Sequence, residues 1–134
     1  MKILIIAAHG SRKKESAKEV AALAAKLSNK KGTQFDRIDH GFLQFSEPFL
    51  PDVIENAVAK GAKEIVIFPF FISAGSHILQ DIPELVEKSG KTYPEVAFSV
   101  TRHLGIIDGI GDLIINEVAC HLVSVNTSNK SEAR

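Results

Sequence analysis

The chain has 134 residues, 45% of them hydrophobic, and its 16 Lys and Arg residues balance 16 Asp and Glu residues. This length suits one domain with its own core, and the balanced charge argues against a general nucleic-acid binder. Cys120 is the single cysteine, so the chain can form neither an internal disulfide nor a Cys-rich zinc site. We interpret Cys120 as a small core residue of a helix.

The apolar start of the chain, residues 3–8, is too short to span a membrane. It runs directly into His-Gly-Ser at 9–11 and lacks the small-residue cleavage site of a signal peptide. We therefore interpret it as a strand, and we expect a cytoplasmic protein that does not associate with membranes.

Four apolar runs alternate with four helical patterns, which predicts an α/β fold built around a parallel sheet. The second run mixes charged and apolar residues and is expected near a sheet edge, whereas the others read as strands covered on both faces. The predicted strands are residues 3–8, 35–45, 65–71 and 96–100.

The helices follow from apolar spacing and capping residues. Residues 17–27 carry a buried stripe, and Ser46 is placed to cap a second helix that ends at Gly61. A third, short helix stops near Gly90. The fourth is long, and we expect its apolar residues to face the core: Ile107, Ile110, Ile114, Val118 and Leu122. Residues 124–134 are polar and are expected to be disordered, which leaves one domain at 1–123.

Ligands of open parallel sheets bind beyond the carboxyl ends of the strands. This rule selects the segments 9–12, 44–48, 75–77 and 101–103. His9 and His77 lie in two of them, each close to a glycine that lets a ligand approach the backbone. Imidazole nitrogens suit cobalt, nickel, iron and zinc, and two of them leave coordination positions open for a substrate. The sequence therefore predicts a divalent-metal site made by His9 and His77.

Two other interpretations remain open. Either histidine, taken alone, is as compatible with a structural role in a loop or core. Gly10 and Ser11 at a strand-to-helix turn are also compatible with a phosphate site at a helix N-terminus, although the chain has no Gly-x-Gly-x-x-Gly or Gly-Lys-Ser motif.

Three segments resemble the short form of the class II chelatases, the sirohydrochlorin cobaltochelatases and their iron and nickel relatives. They are His-Gly-Ser-Arg at 9–12, Gly-Phe-Leu-Gln-Phe-Ser-Glu-Pro at 41–48, and Phe-Pro-Phe-Phe-Ile-Ser-Ala-Gly-Ser-His at 68–77 with Asp-Ile-Pro at 81–83. The last is the most diagnostic, because its spacing and order both fit. The resemblance covers nearly the whole folded part of the chain.

The resemblance implies a three-layer fold in which helices flank a four-stranded parallel sheet, as in one half of a flavodoxin-like chelatase. It also implies a homodimer. It also implies that His9 and His77 are the metal ligands and that the reaction inserts a divalent ion, Co²⁺ or else Fe²⁺ or Ni²⁺, into sirohydrochlorin or a related tetrapyrrole of cobalamin or siroheme synthesis. The ion is a substrate, and no organic cofactor is expected.

The chain departs from the family at Gln44, where relatives usually carry Glu. A Gln amide forms hydrogen bonds but is no base near neutral pH. Glu47 matches a second acidic position of the family and is a candidate proton acceptor, but it is equally compatible with a first-turn residue of the following helix. A second departure lies at 78–80, where relatives tend to carry a basic residue.

A substrate fringed with carboxylates needs polar partners on the rim of the site. Arginine binds carboxylates bidentately, although a solvated helix face is an equally good interpretation of Arg12. His103 is a further candidate for the site. The expected substrate-binding residues are Ser11, Arg12, Gly75, Ser76 and Arg102.

The sequence thus leaves three hypotheses about function. The first is a chelatase in which Glu47 or water takes up the pyrrole protons while His9 and His77 hold the ion. The second is a relative that binds metal or tetrapyrrole without catalysis, which Gln44 keeps open. The third is a small phosphoesterase that uses the turn at Gly10 and Ser11.

Overall fold

The computed structural model describes residues 1–73 and 75–132, and the side chains of 76–79 and 128–132 are outside that description. The strands are β1 (Lys2–Ala8), β2 (Arg37–Phe42), β3 (Glu64–Pro69) and β4 (Ala97–Val100). They form one parallel sheet in the order β2-β1-β3-β4. This confirms the predicted α/β class and places β2 at an edge, which accounts for its mixed composition.

The helices are α1 (Lys14–Ser28), α2 (Leu50–Ala59), α3 (Ser76–Thr92) and α4 (Gly109–Glu132), with a short 3₁₀ turn at Leu104–Ile106. Helices α2 and α3 cover one face of the sheet, where Ile5, Ile65 and Ile67 are fully buried. Helix α1 covers part of the other face, over Ile6 and Phe42. Within the described residues, no helix is both long enough and apolar enough to cross a membrane.

The third helix is longer than predicted. It begins at Ser76, includes Pro83 and continues through Gly90 to Thr92. Gly90 costs a helix about 1 kcal/mol relative to Ala, which the packing of this helix on the core outweighs. Gly61 has φ +100 and follows Lys60, the C-cap of α2, as predicted for a residue that ends a helix.

The prediction that α4 packs its apolar residues into the core of its own chain is wrong. Every residue from 111 to 127 is exposed, including Cys120. The helix also continues through Glu132, so the part of the expected disordered tail at 124–132 is helical. No proline follows Gly109, and an established helix extends by one hydrogen bond per added residue. Residues 133 and 134 lie outside the described part.

Candidate functional site

The loops that follow β1 and β2 are joined by the side chain of Ser46. Its Oγ accepts a hydrogen bond from the backbone N–H of Ser11 at 3.1 Å and donates one to the backbone carbonyl of Ser11 at 2.7 Å. Ser46 is 7% exposed. The predicted helix cap at Ser46 is therefore wrong: α2 begins four residues later, after Phe49, and Ser46 instead holds the two loops together.

Gly10 allows these two loops to approach each other. Its φ is +101, and a Cβ at this position would lie 1.6 Å from the backbone oxygen of Gln44. The space beside Gly10 is thus filled by the neighbouring loop, and not by a ligand as the sequence suggested. The Ser11 N–H, which a phosphate site would need, already donates to Ser46. The phosphoesterase hypothesis loses its main support for this reason.

His9 and Gln44 are in direct contact across these loops. The Nε2 of Gln44 lies 2.9 Å from the Nε2 of His9, and the backbone N–H of Gln44 donates to the carbonyl of His9 at 3.0 Å. The amide nitrogen of Gln44 can donate only to an Nε2 that carries its lone pair, which corresponds to the ring tautomer with its proton on Nδ1, 3.4 Å from the carbonyl oxygen of Gly10. The imidazole of His9 thus has its Nε2 against the Gln44 amide, just beyond the carboxyl end of strand β1.

The second expected ligand, His77, is the second residue of α3. Its side chain and that of Ser76 lie outside the described residues. Gly75 precedes the helix with φ −68, and a Cβ there would meet nothing within 4 Å. Within the described residues, no three His, Cys, Asp or Glu side chains come together as a metal site. The two-histidine site therefore stays a prediction.

Glu47 lies three residues before α2, so it is not a first-turn residue of that helix, whose acidic residue is Asp52. Its side chain is exposed. Arg12 is also on the rim, where its guanidinium carbon stands 5.0 Å from the ring centroid of Phe45. Phe45 is 52% exposed. This cation–π pair places an arginine and an aromatic face on the two loops that carry His9 and Gln44.

A cavity of about 210 Å³ opens at the ends of β3 and β4. Arg102 and His103 line it, and the ring of His103 stacks on Phe71 with centroids 5.7 Å apart. Gly105 packs against the loop that follows β3, because a Cβ there would lie 1.6 Å from the backbone oxygen of Ile72. Apart from Thr101, the other residues that line the cavity are apolar, which suits the edge of a flat hydrophobic molecule that carries an anionic group.

Sequence reasoning missed three residues of this site. Phe45 and Ser46 lie in the motif at 41–48, and Phe71 lies in the motif at 68–77. Their place in these motifs was the signal that could have identified them as site residues. The structure gives Ser11 a structural role: its Oγ accepts from the N–H of Lys13 and both its backbone groups bond to Ser46. A contact between Ser11 and substrate stays a prediction.

The fold and this rim define a parallel α/β domain of the chelatase type. The family model CbiX matches residues 3–120. The chain therefore belongs to the CbiX family, as the sequence motifs predicted.

Relatives with known names agree with this membership. A sirohydrochlorin cobaltochelatase of Methanococcus aeolicus is 36% identical over 86 residues, which cover 64% of this chain and 59% of that protein. One of Saccharolobus solfataricus is 30% identical over 121 residues, which cover 86% and 91%. The chain thus spans about three fifths of the first relative and most of the second.

A solved structure shares the fold. The sirohydrochlorin chelatase SirB from Bacillus subtilis subspecies spizizenii, in complex with cobalt, superposes with a TM-score of 0.74 at 26% identity. The match covers 89% of this chain and 50% of SirB. One chain of this family therefore corresponds to half of the longer protein.

Proposed function

We propose that the chain inserts a divalent metal ion into sirohydrochlorin or a related tetrapyrrole, with cobalt as the first candidate and iron or nickel next. The observation that carries the proposal is the position of the His9 imidazole, which lies just beyond the carboxyl end of β1 with its Nε2 2.9 Å from the amide nitrogen of Gln44. Family membership and the names of the relatives support the choice of reaction.

His9 and His77 would hold the ion as it is delivered. Two neutral imidazoles leave coordination positions for the pyrrole nitrogens, and the lack of a thiolate at the rim keeps the ion exchangeable. Before an ion binds His9 Nε2, the Gln44 amide must turn away, because its nitrogen lies 2.9 Å from that atom. Metal binding at His9 therefore requires the Gln44 side chain to move.

Insertion releases two pyrrole protons, and the Gln44 amide cannot accept them. Glu47 is the nearest acidic residue along the loop, and its exposed carboxylate can pass protons to solvent. Arg12 with Phe45 on one side, and Arg102 with His103 on the other, offer cationic and aromatic groups to the edge of a carboxylate-bearing macrocycle.

A homodimer is part of the proposal. One chain matches half the length of SirB, so two copies would correspond to the whole of that protein. The exposed apolar residues of helix α4 also favour contact with a second copy. A cytoplasmic location is also proposed, because the exposed thiol of Cys120 suits a reducing compartment.

The test is anaerobic incubation with sirohydrochlorin and Co²⁺, followed by absorbance, for the wild type, His9→Ala and His77→Ala. His40→Gln serves as a control, since His40 lies inside β2, away from the rim. Removing a residue that hydrogen-bonds to a metal ligand lowers metal affinity or activity about 10- to 100-fold. Removing the ligand itself should therefore lower the insertion rate of each Ala variant by more than about 100-fold. If both Ala variants insert cobalt at the wild-type rate, the site assignment fails.

A non-catalytic metal-binding relative is the second candidate, and the amide at His9 favours it. Gln44→Glu decides between the two. Wild type that inserts cobalt establishes the enzyme, whereas a wild type that binds cobalt without insertion, together with an active Gln44→Glu variant, establishes the binding protein.

A further inference from the structure

The cavity at the ends of β3 and β4 combines apolar walls with one side chain that can accept a proton. Among the described residues that line it, His103 carries the imidazole, whereas the guanidinium of Arg102 has only donors. The hydroxyl of Thr101 donates to the carbonyl of Arg102 at 2.9 Å. Imidazole is the side chain that exchanges a proton most readily near neutral pH, so His103 is the candidate base of this cavity.

Backbone hydrogen bonds on both sides of His103 hold it at the edge of the sheet. The N–H of Thr101 donates to the carbonyl of Ile67 in β3 at 3.0 Å, and the N–H of Gly105 donates to the carbonyl of Phe71 at 3.2 Å. The segment between Thr101 and Gly105 is therefore attached twice to β3 and the residues that follow it. These two attachments give the backbone of His103 a fixed place in the wall of the cavity.

The ring of His103 is oriented by its contact with Phe71. The two ring planes are 26° apart in a stacked arrangement, and His103 is half-buried. Stacking occupies the face of the imidazole and leaves its edge, where both nitrogens lie, for hydrogen bonding. The arrangement thus presents a nitrogen lone pair from a ring that packing holds in place.

We propose that His103 is the group that first accepts the pyrrole protons during metal insertion. The inference rests on the function proposed above and names its base. In each of two steps, a pyrrole N–H proton passes to the lone pair of an imidazole nitrogen, and the electron pair of the broken bond stays on the pyrrole nitrogen, which binds the ion. The imidazolium then gives its proton to water. The two protons released balance the two charges of the ion, and no group is oxidised or reduced.

The place of His103 along the sheet edge suits this role. Neighbouring strands lie about 4.8 Å apart, and the strand order places the end of β4 next to β3 and about 10 Å from β1. An ion held by His9 and His77, beyond the ends of β1 and β3, lies nearer to His103 than that. A macrocycle centred on this ion turns its near pyrrole nitrogens toward the cavity, whose apolar residues exclude water from that edge.

Glu47 is the alternative base, and its position is less suitable. It follows β2, so β1 and His9 lie between it and the cavity, and its side chain is exposed. Carboxylates are weaker bases than imidazoles, and general base catalysis is most efficient when the base titrates near the working pH. Glu47 can therefore pass protons on to solvent, while His103 removes them from the pyrrole nitrogens.

The test compares cobalt insertion into sirohydrochlorin by the wild type, His103→Phe and His103→Gln. Phe keeps a ring that can stack on Phe71 but has no nitrogen, and Gln keeps hydrogen bonding without acting as a base. Because a general base contributes about 100-fold or more, kcat should fall about 100-fold in both variants. Co²⁺ affinity and the KM for sirohydrochlorin should stay within about 3-fold of wild type. His121→Gln, exposed on α4, is the matched control and should insert cobalt at the wild-type rate.

His103→Ala provides a second readout. This variant leaves space in the cavity that free imidazole can enter, whereas the Phe ring fills the same space. With the free Co²⁺ concentration held constant, added imidazole should restore insertion by His103→Ala and should not restore it in His103→Phe.

Four results would overturn the inference. A wild-type rate in His103→Phe would make ring stacking sufficient, lost Co²⁺ affinity would make His103 a metal ligand, and a raised KM with unchanged kcat would make it a substrate-binding residue. A larger loss in Glu47→Gln than in His103→Phe would place the first proton transfer at Glu47. A wild type that inserts no cobalt contradicts the proposed function and the inference with it, whereas an active wild type with unaffected His103 variants contradicts the inference alone.

Discussion

Gly10→Ala should weaken both the fold and the metal site. An added Cβ meets two penalties here: φ +101, and a distance of 1.6 Å to the Gln44 carbonyl oxygen. The positive φ costs about 1–2 kcal/mol for a residue with a Cβ. The overlap forces that oxygen back to at least 3.0 Å, which moves loop backbone and costs about a further 1–3 kcal/mol. The same movement breaks the 2.9 Å contact between Gln44 and His9.

Gly61→Ala is the matched control. Its φ is +100, and a Cβ there meets nothing within 4 Å, so only the conformational penalty of about 1–2 kcal/mol applies. Urea unfolding should show a loss of about 2–5 kcal/mol for Gly10→Ala, and Co²⁺ titration should show an altered affinity in that variant alone. Equal losses of stability and unchanged Co²⁺ affinity in both variants would refute the reasoning.

Three further changes test the loops and the edge strand. Ser46→Ala removes two hydrogen bonds to the backbone of Ser11 and should lower the free energy of unfolding in urea by about 1–3 kcal/mol. Thr92→Ala loses an exposed bond to a carbonyl of its own helix and should change that free energy by less than about 0.5 kcal/mol, so equal effects would contradict the bridge between loops. Gly105→Ala should lower the melting temperature by overlap with the β3–α3 loop, while Gly109→Ala, with open space, should not. Burial lowers the pKa of His40 below its usual 6.5, and the smaller effect of the neighbouring Asp39 carboxylate opposes this shift. As the pH falls, the unfolded chain therefore binds a proton at His40 more readily than the folded chain does. The free energy of unfolding should therefore fall as the pH drops below about 6.5, and His40→Gln should reduce that slope; an unchanged slope would contradict this account.

The sequence was sufficient to predict the sheet, because parallel strands that are buried on both faces are continuously apolar. The apolar runs at 3–8 and 65–71 have this pattern. It was insufficient for α4. A stripe at Ile114, Val118 and Leu122 shows that one side of a helix must be covered, but it does not show which molecule covers it. The length of α3 was underestimated because Gly90 reads locally as a stop, while packing on the core decides the outcome.

The sequence predicted which strand ends meet at the candidate site, but it did not predict the contacts between their loops. The rule that ligand loops meet at the carboxyl edge brought segments 9–12 and 44–48 together, and the structure places His9 against Gln44 there. The hydrogen bonds of Ser46 were not predictable, because a serine before a helix reads equally well as a cap. The role of Gly10 depends on a neighbouring carbonyl, which is a tertiary contact without a local signature.

In the proposed site a metal ion enters at His9 Nε2, where the Gln44 amide lies in this structure. The most direct measurement is the ¹⁵N NMR spectrum of the five histidines during titration with Zn²⁺, a diamagnetic probe for imidazole ligands. We expect His9 to begin as the tautomer protonated on Nδ1 and its Nε2 resonance to shift on metal addition, together with one nitrogen of His77. Metal-dependent shifts confined to His40, His103 or His121 would contradict it.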